Sequence, residues 1–80
     1  MKKRRLGELK KGERATIVRV TEAAETGLAR RMLEMGLLEG SRVELVHEAP
    51  FGGDPVAVRA RGALIALRRN EANFIEVADD

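Results

Sequence analysis

Four short segments, SRVELVHE, VAVRAR, LIALR and NFIEV, alternate apolar residues with polar or small ones, and turn-forming residues separate them. Alternation with a period of two gives each segment one inward face and one outward face, as an antiparallel strand requires. Val43 and Leu45 fall on one face and Glu44 and Val46 on the other. Val56, Val58 and Ala60 likewise oppose Ala57, Arg59 and Arg61, and near the end of the chain Ile75 and Val77 point inward. A fifth segment, ATIVRV, has strand composition, but its apolar residues Ala15, Ile17 and Val20 change parity after Ile17. A bulge at Val18 and Arg19 restores them to one side. Gly62 with Ala63 reads as the hairpin connection into LIALR.

Strands this close together in 80 residues leave little choice of architecture. A domain of this size buries only about 60 % of its unfolded surface, and a small, strongly bent antiparallel barrel both encloses a core and removes exposed sheet edges. The expectation is a mainly β domain over residues 1–80, with about five strands and one short helix. Residues 1–5 are read as a basic, flexible tail, since chain ends are commonly frayed.

The helix is expected where the apolar period changes. In RRMLEMGLLEGSRVELV, Leu28 just upstream, Met32 and Met35 are spaced at i, i+4 and i+7, one helical stripe flanked by Leu33. Gly36 suits the left-handed position that ends many helices, and Leu37 beyond it is placed to fold back onto Met32. The segment RNEA has room for a single helical turn.

Composition then excludes several kinds of chemistry. The chain contains no cysteine, which removes disulfides, thiol nucleophiles and thiolate metal sites together. Its one histidine, His47, has Glu48 beside it but no second nitrogen or sulfur ligand, so a surface strand histidine is the simpler reading than a weak metal site. Ser41 is a turn residue, and the glycines of FGGDP lack the Lys-Ser/Thr ending of a phosphate loop. Aromatic residues are limited to Phe51 and Phe74, too few for stacking bases or lining a proline-rich peptide groove. Phe74 is expected in the core and Phe51 in an exposed turn. No catalytic residue, cofactor or metal ligand is assigned.

The charge is 15 Lys and Arg against 13 Asp and Glu, a net of +2, yet Lys2, Lys3, Arg4 and Arg5 supply four of the cations, and without them the balance is 11 against 13. A nucleic-acid binder carries its cations on the folded surface, so nucleic acid is not the expected partner. An alternative keeps Arg59, Arg61, Arg68 and Arg69 as a basic patch across the hairpin, for a barrel associated with nucleic acid or an iron-dependent repressor. The basic start lacks an apolar stretch of signal-peptide length, and no run approaches the roughly 18 apolar residues of a membrane span. The expectation is a soluble, cytoplasmic protein.

The segments LGELKKGERATIVRV, RRMLEMGLLEGSRVELV and APFGGDPVAVRARGALIALRRNEANFIEV, in that order, resemble the FeoA family, the small companions of the bacterial ferrous iron transporter FeoB. The resemblance spans residues 6 to 77. Met32 stands where leucine is frequent, and FGGDP has one extra glycine; neither alters the chemistry. The resemblance implies an SH3-like β-barrel without catalytic activity, similar also to the C-terminal domains of repressors of the diphtheria toxin repressor type. It implies binding to FeoB on its cytoplasmic side, with the GTP-binding domain as one point of contact, and a membrane association only through FeoB. The contact surface expected here is the helix end with the PFGGDP loop: Arg31, Met35, Leu37, Leu38, Phe51 and Asp54, with Glu34 and Glu39 at the rim.

One consequence is testable without reference to function. If the chain turns left-handed at Gly36, a Gly36→Val substitution forces a β-branched side chain into a conformation it rarely adopts. The expected loss of stability is about 1 to 3 kcal/mol, read as a lowered melting temperature; an unchanged value would show that the helix ends by another device.

Overall fold

The computed structural model describes residues 3–20, 34, 36–50 and 52–79. The alternating segments form strands: β1 (Lys3–Arg5), β2 (Arg14–Val20), β3 (Arg42–Glu48), β4 (Val56–Ala60), β5 (Ala63–Leu67) and β6 (Ile75–Asp79). A 3-10 turn (Leu6–Glu8) follows β1, and one helical turn, α1 (Arg69–Ala72), precedes β6. The strands make one antiparallel sheet in the order β1-β6-β2-β3-β4-β5. The helix expected across Leu28 to Met35 lies, apart from the helical Glu34, outside the described residues.

The inward positions behave as their alternation demands. Ala15, Ile17, Val43, Leu45, Val56 and Val58 are all buried in a single core cluster, joined by Ile75 and Val77 from β6. Each valine, leucine or isoleucine side chain among them contributes roughly 1.5–3 kcal/mol by leaving water. The parity break in β2 is a real bulge: Ile17 opposes Val77, the register shifts, and Arg19 opposes Glu76. A second bulge, which alternation did not signal, lies in β3 between Leu45 and His47. Each bulge bends its strand and increases its twist, which lets a sheet this narrow curl around one core.

Two expectations need correction. The basic start is not a frayed tail throughout, because Lys3–Arg5 pair with β6, opposing Ala78, Val77 and Glu76. Arg4 holds the pairing: Nε and Nη2 donate to Asp79 Oδ1 at 3.0 and 2.8 Å, and Nη1 donates to Glu13 Oε1 at 3.3 Å. The cationic run hid this strand because three charged residues carry no alternation. The β4–β5 hairpin also turns one residue earlier than expected. Ala60 opposes Ala63, so Arg61 (φ 53°) and Gly62 (φ 82°) form the two-residue loop, and positive φ at both positions matches the twist of the flanking strands.

The connections use one local device three times. A glutamate reaches back three residues to an open backbone N–H: Glu8 Oε1 accepts from Arg5, Glu13 Oε1 from Lys10 and Glu71 Oε1 from Arg68, at 2.8, 2.7 and 3.1 Å. This is the glutamate half of a capping box. The other half cannot come from the Arg68 side chain, which has no acceptor; Asp54, in the loop before β4, satisfies a different open donor of the turn, its Oδ1 accepting the Arg69 N–H at 2.9 Å.

Arg69 itself joins four pieces of chain. Nε donates to the Gly53 carbonyl at 2.8 Å, Nη1 to the carbonyls of Gly7 and Leu9 at 2.7 and 3.2 Å, and Nη2 to Glu48 Oε2 at 2.8 Å. Gly7 makes this possible by its lack of a side chain, since a Cβ there would lie 2.7 Å from the Arg69 carbonyl oxygen and collide with Asn73 Oδ1.

Two measurements follow. Arg69→Ala breaks four hydrogen bonds and strands carbonyls in a partly buried site; at about 1 kcal/mol per bond, chemical denaturation should show a loss of about 2–4 kcal/mol. Arg69→Lys should recover less than half of it, because the three donors of an ammonium share one nitrogen and cannot span the separated acceptors that Nε, Nη1 and Nη2 reach. The carboxyl of Glu13 is held below its usual pKa, first by the Lys10 N–H and then by Arg4. A depressed carboxyl stabilises the fold above the usual carboxylate pKa, and that contribution disappears as the pH falls through the lowered value. Glu13→Gln should therefore melt lower than wild type at neutral pH and lose less on acidification; parallel pH curves would refute the assignment.

Candidate functional site

The junction from Gly36 to Ser41 is fixed almost entirely by its own backbone. Gly36 has φ of 86°, as the helix stop requires, and its missing Cβ would lie 3.3 Å from Arg61 Cδ. The Gly36 carbonyl accepts the Leu38 N–H at 3.0 Å and the Ser41 hydroxyl at 3.2 Å. Ser41 N–H closes a turn onto the Leu38 carbonyl at 2.9 Å, while Gly40 N–H donates to Ile17 and Ile17 N–H to Ser41, each at 2.8 Å. Ser41 is the one buried polar residue among the described residues, and its hydroxyl is used in this turn. The junction is thus sewn to β2.

This path separates the two leucines. Leu37 is fully buried in the core cluster, which corrects its placement on an exposed surface: its side chain points inward and anchors the turn. Leu38 is partly exposed, with exposed Glu34 and Glu39 on either side of it in sequence. Arg31, Met35 and Phe51 lie outside the described residues.

Asp54 is half-buried, and its carboxylate holds the loop to α1. It does not stand beside Leu38. The junction leads into the Arg42 end of β3, whereas the loop holding Asp54 is tied through Arg69 to Glu48 at the other end. A seven-residue strand spans roughly 20 Å, so the Gly36–Ser41 junction and the Asp54 loop occupy opposite ends of the barrel.

The four arginines of the alternative basic patch are also divided. Arg69 is the internal clamp, and Arg68 and Arg61 flank β5 at its two ends. Arg59 and Arg61 instead join Arg14 and Arg42 around an open groove of about 220 Å3. Sequence distance concealed this grouping, though all but Arg61 occupy outward strand positions. A second cavity, about 600 Å3, lies around Arg69 with Glu8, Lys10, Lys11 and Glu48 on its walls, a mixture of both charges. His47 is exposed on β3. Among the described residues, no three His, Asp or Glu side chains gather as a metal site, and no helix is long and apolar enough to cross a membrane.

Comparison with known proteins agrees with this geometry. The FeoA domain model matches residues 4–79. A protein of Porphyromonas gingivalis described as an Fe(2+) transport protein A/Fe(2+) transporter FeoB fusion is 41 % identical over 73 residues, covering 91 % of this chain and 8 % of that protein. The chain therefore spans about a twelfth of that relative. The FeoA protein of Chlorobium tepidum superposes with a TM-score of 0.84 at 41 % identity, over 95 % of this chain and 70 % of that one. Stenotrophomonas maltophilia FeoA, described as a prokaryotic SH3 domain protein and solved with zinc, gives 0.83 at 33 % identity over 94 % and 89 %. T. acidophilum IdeR superposes at 0.83 over all of this chain and 35 % of its own, but at 21 % identity that is a likeness of fold alone. With a six-stranded SH3-like barrel and a family match over nearly its whole length, the chain belongs to the FeoA family.

Proposed function

We propose that this chain is a non-enzymatic accessory protein of ferrous iron transport that works by binding a FeoB-type transporter on its cytoplasmic side. The observation that carries the reading is the fusion of a 41 % identical relative to a FeoB sequence in one polypeptide. Joining two modules on one chain raises the effective concentration of each at the other to roughly millimolar, an arrangement useful when the two must associate.

Leu38 is the residue we assign to that contact. It follows a rigid, hydrogen-bonded helix stop, its neighbour Leu37 faces the core, and a partly exposed leucine between Glu34 and Glu39 is an apolar group rimmed by charge. A preorganised turn presents it without an ordering penalty on binding. The transporter's GTP-binding domain is the soluble portion against which such a surface would act, and Arg31, Met35 and Phe51 are the further side chains we assign to the interface.

Co-purification with the FeoB-type transporter of the same cell, with and without its GTP-binding domain, tests both levels. Leu38→Gln should weaken association at least about fivefold, the equivalent of roughly 1 kcal/mol, with an unchanged melting temperature. Undiminished association would place the contact elsewhere, and an unfolded variant would return Leu38 to the core.

A further inference from the structure

On the outer face of the sheet, Arg14 on β2 opposes Glu44 on β3, Glu44 opposes Arg59 on β4, and Arg59 opposes Leu64 on β5. With strands about 4.8 Å apart, these four form one row across the sheet. Arg42, two residues from Glu44, is on the same face of β3, and Arg61 enters from the hairpin turn. Together the arginines line the groove of about 220 Å3, with Val43 and Gly62 completing its wall.

We infer that this arginine groove is a docking surface for a short acidic segment of a protein partner. Among the described lining residues, four arginines stand with a single carboxylate, Glu44, although the whole chain carries a net charge of only +2. The positive charge is concentrated here, and the remainder of the molecule is slightly acidic. The Arg59–Glu44 pair is loose, with Arg59 Nη1 and Glu44 Oε1 4.0 Å apart and the Arg59 side chain 59 % exposed. Every cation in the groove is an arginine, whose planar fork receives carboxylates in two parallel hydrogen bonds.

The hairpin turn adds an independent sign of function. Arg61 is the non-glycine residue at positive φ among the described residues, at a position where asparagine, aspartate or glycine is strongly preferred. Backbone held in such a conformation points toward a role for the side chain it presents.

The same observations favour a protein segment over other polyanions. Leu64, 64 % exposed, continues the row beyond Arg59 and offers an apolar contact that a phosphate backbone does not use. Among its described lining residues the groove has no aromatic side chain to stack a base. Its row of charge runs only from Arg14 to Arg59, roughly two strand spacings or about 10 Å, so a long nucleic acid or a flat anionic membrane would extend over the acidic remainder. Two or three carboxylates on an extended segment would not. Glu44 then occupies the place that an incoming carboxylate takes.

The inference is independent of the transporter contact at Leu38. Titration of the labelled full chain with a short glutamate-leucine peptide, followed by nuclear magnetic resonance, should shift the Arg14, Arg42, Arg59 and Arg61 signals saturably. The matching glutamine-leucine peptide should not, and added salt should weaken the binding. Arg14→Gln combined with Arg59→Gln should reduce affinity about fivefold or more, Glu44→Gln should increase it, and Leu38→Gln should leave it unchanged. Equal shifts with the glutamine peptide would overturn the proposal. So would a Glu44→Gln variant that does not bind more tightly, a test that stands even if the double variant fails to fold. Tighter binding of a DNA duplex or of phosphatidylglycerol vesicles to the same arginines at the same salt would also overturn it, assigning the groove to those partners.

Discussion

The Arg69 guanidinium is the interaction on which one whole end of the barrel depends. Its donors reach the 3-10 turn through Gly7 and Leu9, the loop through Gly53 and the end of β3 through Glu48. Its own N–H is held by Asp54. None of these segments is long enough to be stable alone: the 3-10 turn has three residues and α1 has four, well below the ~12–15 at which an isolated helix is even marginal in water. They are stable because Leu6, Leu9 and Ala72 are buried beneath them while Arg69 satisfies the carbonyls that this burial would otherwise leave open. Among the described residues, no buried side-chain polar atom lacks a partner.

That clamp leaves little freedom for a partner at its own end of the barrel. Arg69 and Asp54 are committed to each other and to backbone, so changing either to suit a partner would dismantle the fold around it. At the Arg42 end of β3 the demands are weaker. The backbone between Gly36 and Ser41 carries the turn geometry itself, which leaves the Leu38 side chain open to selection for contact. Arg61 lies against Gly36, so the arginine groove adjoins the start of this turn. In general a charged groove mainly accelerates and orients encounter, while a desolvated apolar anchor slows dissociation.

Bulges connect these ends. The shifts in β2 and β3 change which residues face inward along a strand without a break in pairing. In β2 the shift keeps Ile17 in the core and lets Val20 pack against it; in β3 it follows Leu45, which is buried, while His47 is exposed. The fold is closer to a curled six-stranded sheet than to five independent hairpin strands, and β6, lying between β1 and β2, joins the chain's end to its beginning.

Period-two alternation alone determined most of the core, because a strand's inward face is a local property: Val43, Leu45, Val56, Val58, Ile75 and Val77 were legible as inward and are buried. The bulge after Ile17 was legible for the same reason, as a break in parity, and Gly36 as a backbone stop. What needed the tertiary structure were the decisions that neighbours make. Lys3–Arg5 became a strand because β6 offers an open edge and Asp79 a partner for Arg4, neither visible in a run of cations. Leu37 and Leu38 are chemically identical and adjacent, and only the hydrogen bonds of the turn direct one inward and leave the other partly exposed. Asp54 and Arg69 read as a loop acid and a surface cation until the fold places them together, and Arg14 and Arg59, 45 positions apart in the chain, meet across Glu44 only because β2, β3 and β4 are neighbours. Local pattern specifies which way a side chain faces; which charges stand together depends on strand order and register, which no single segment contains.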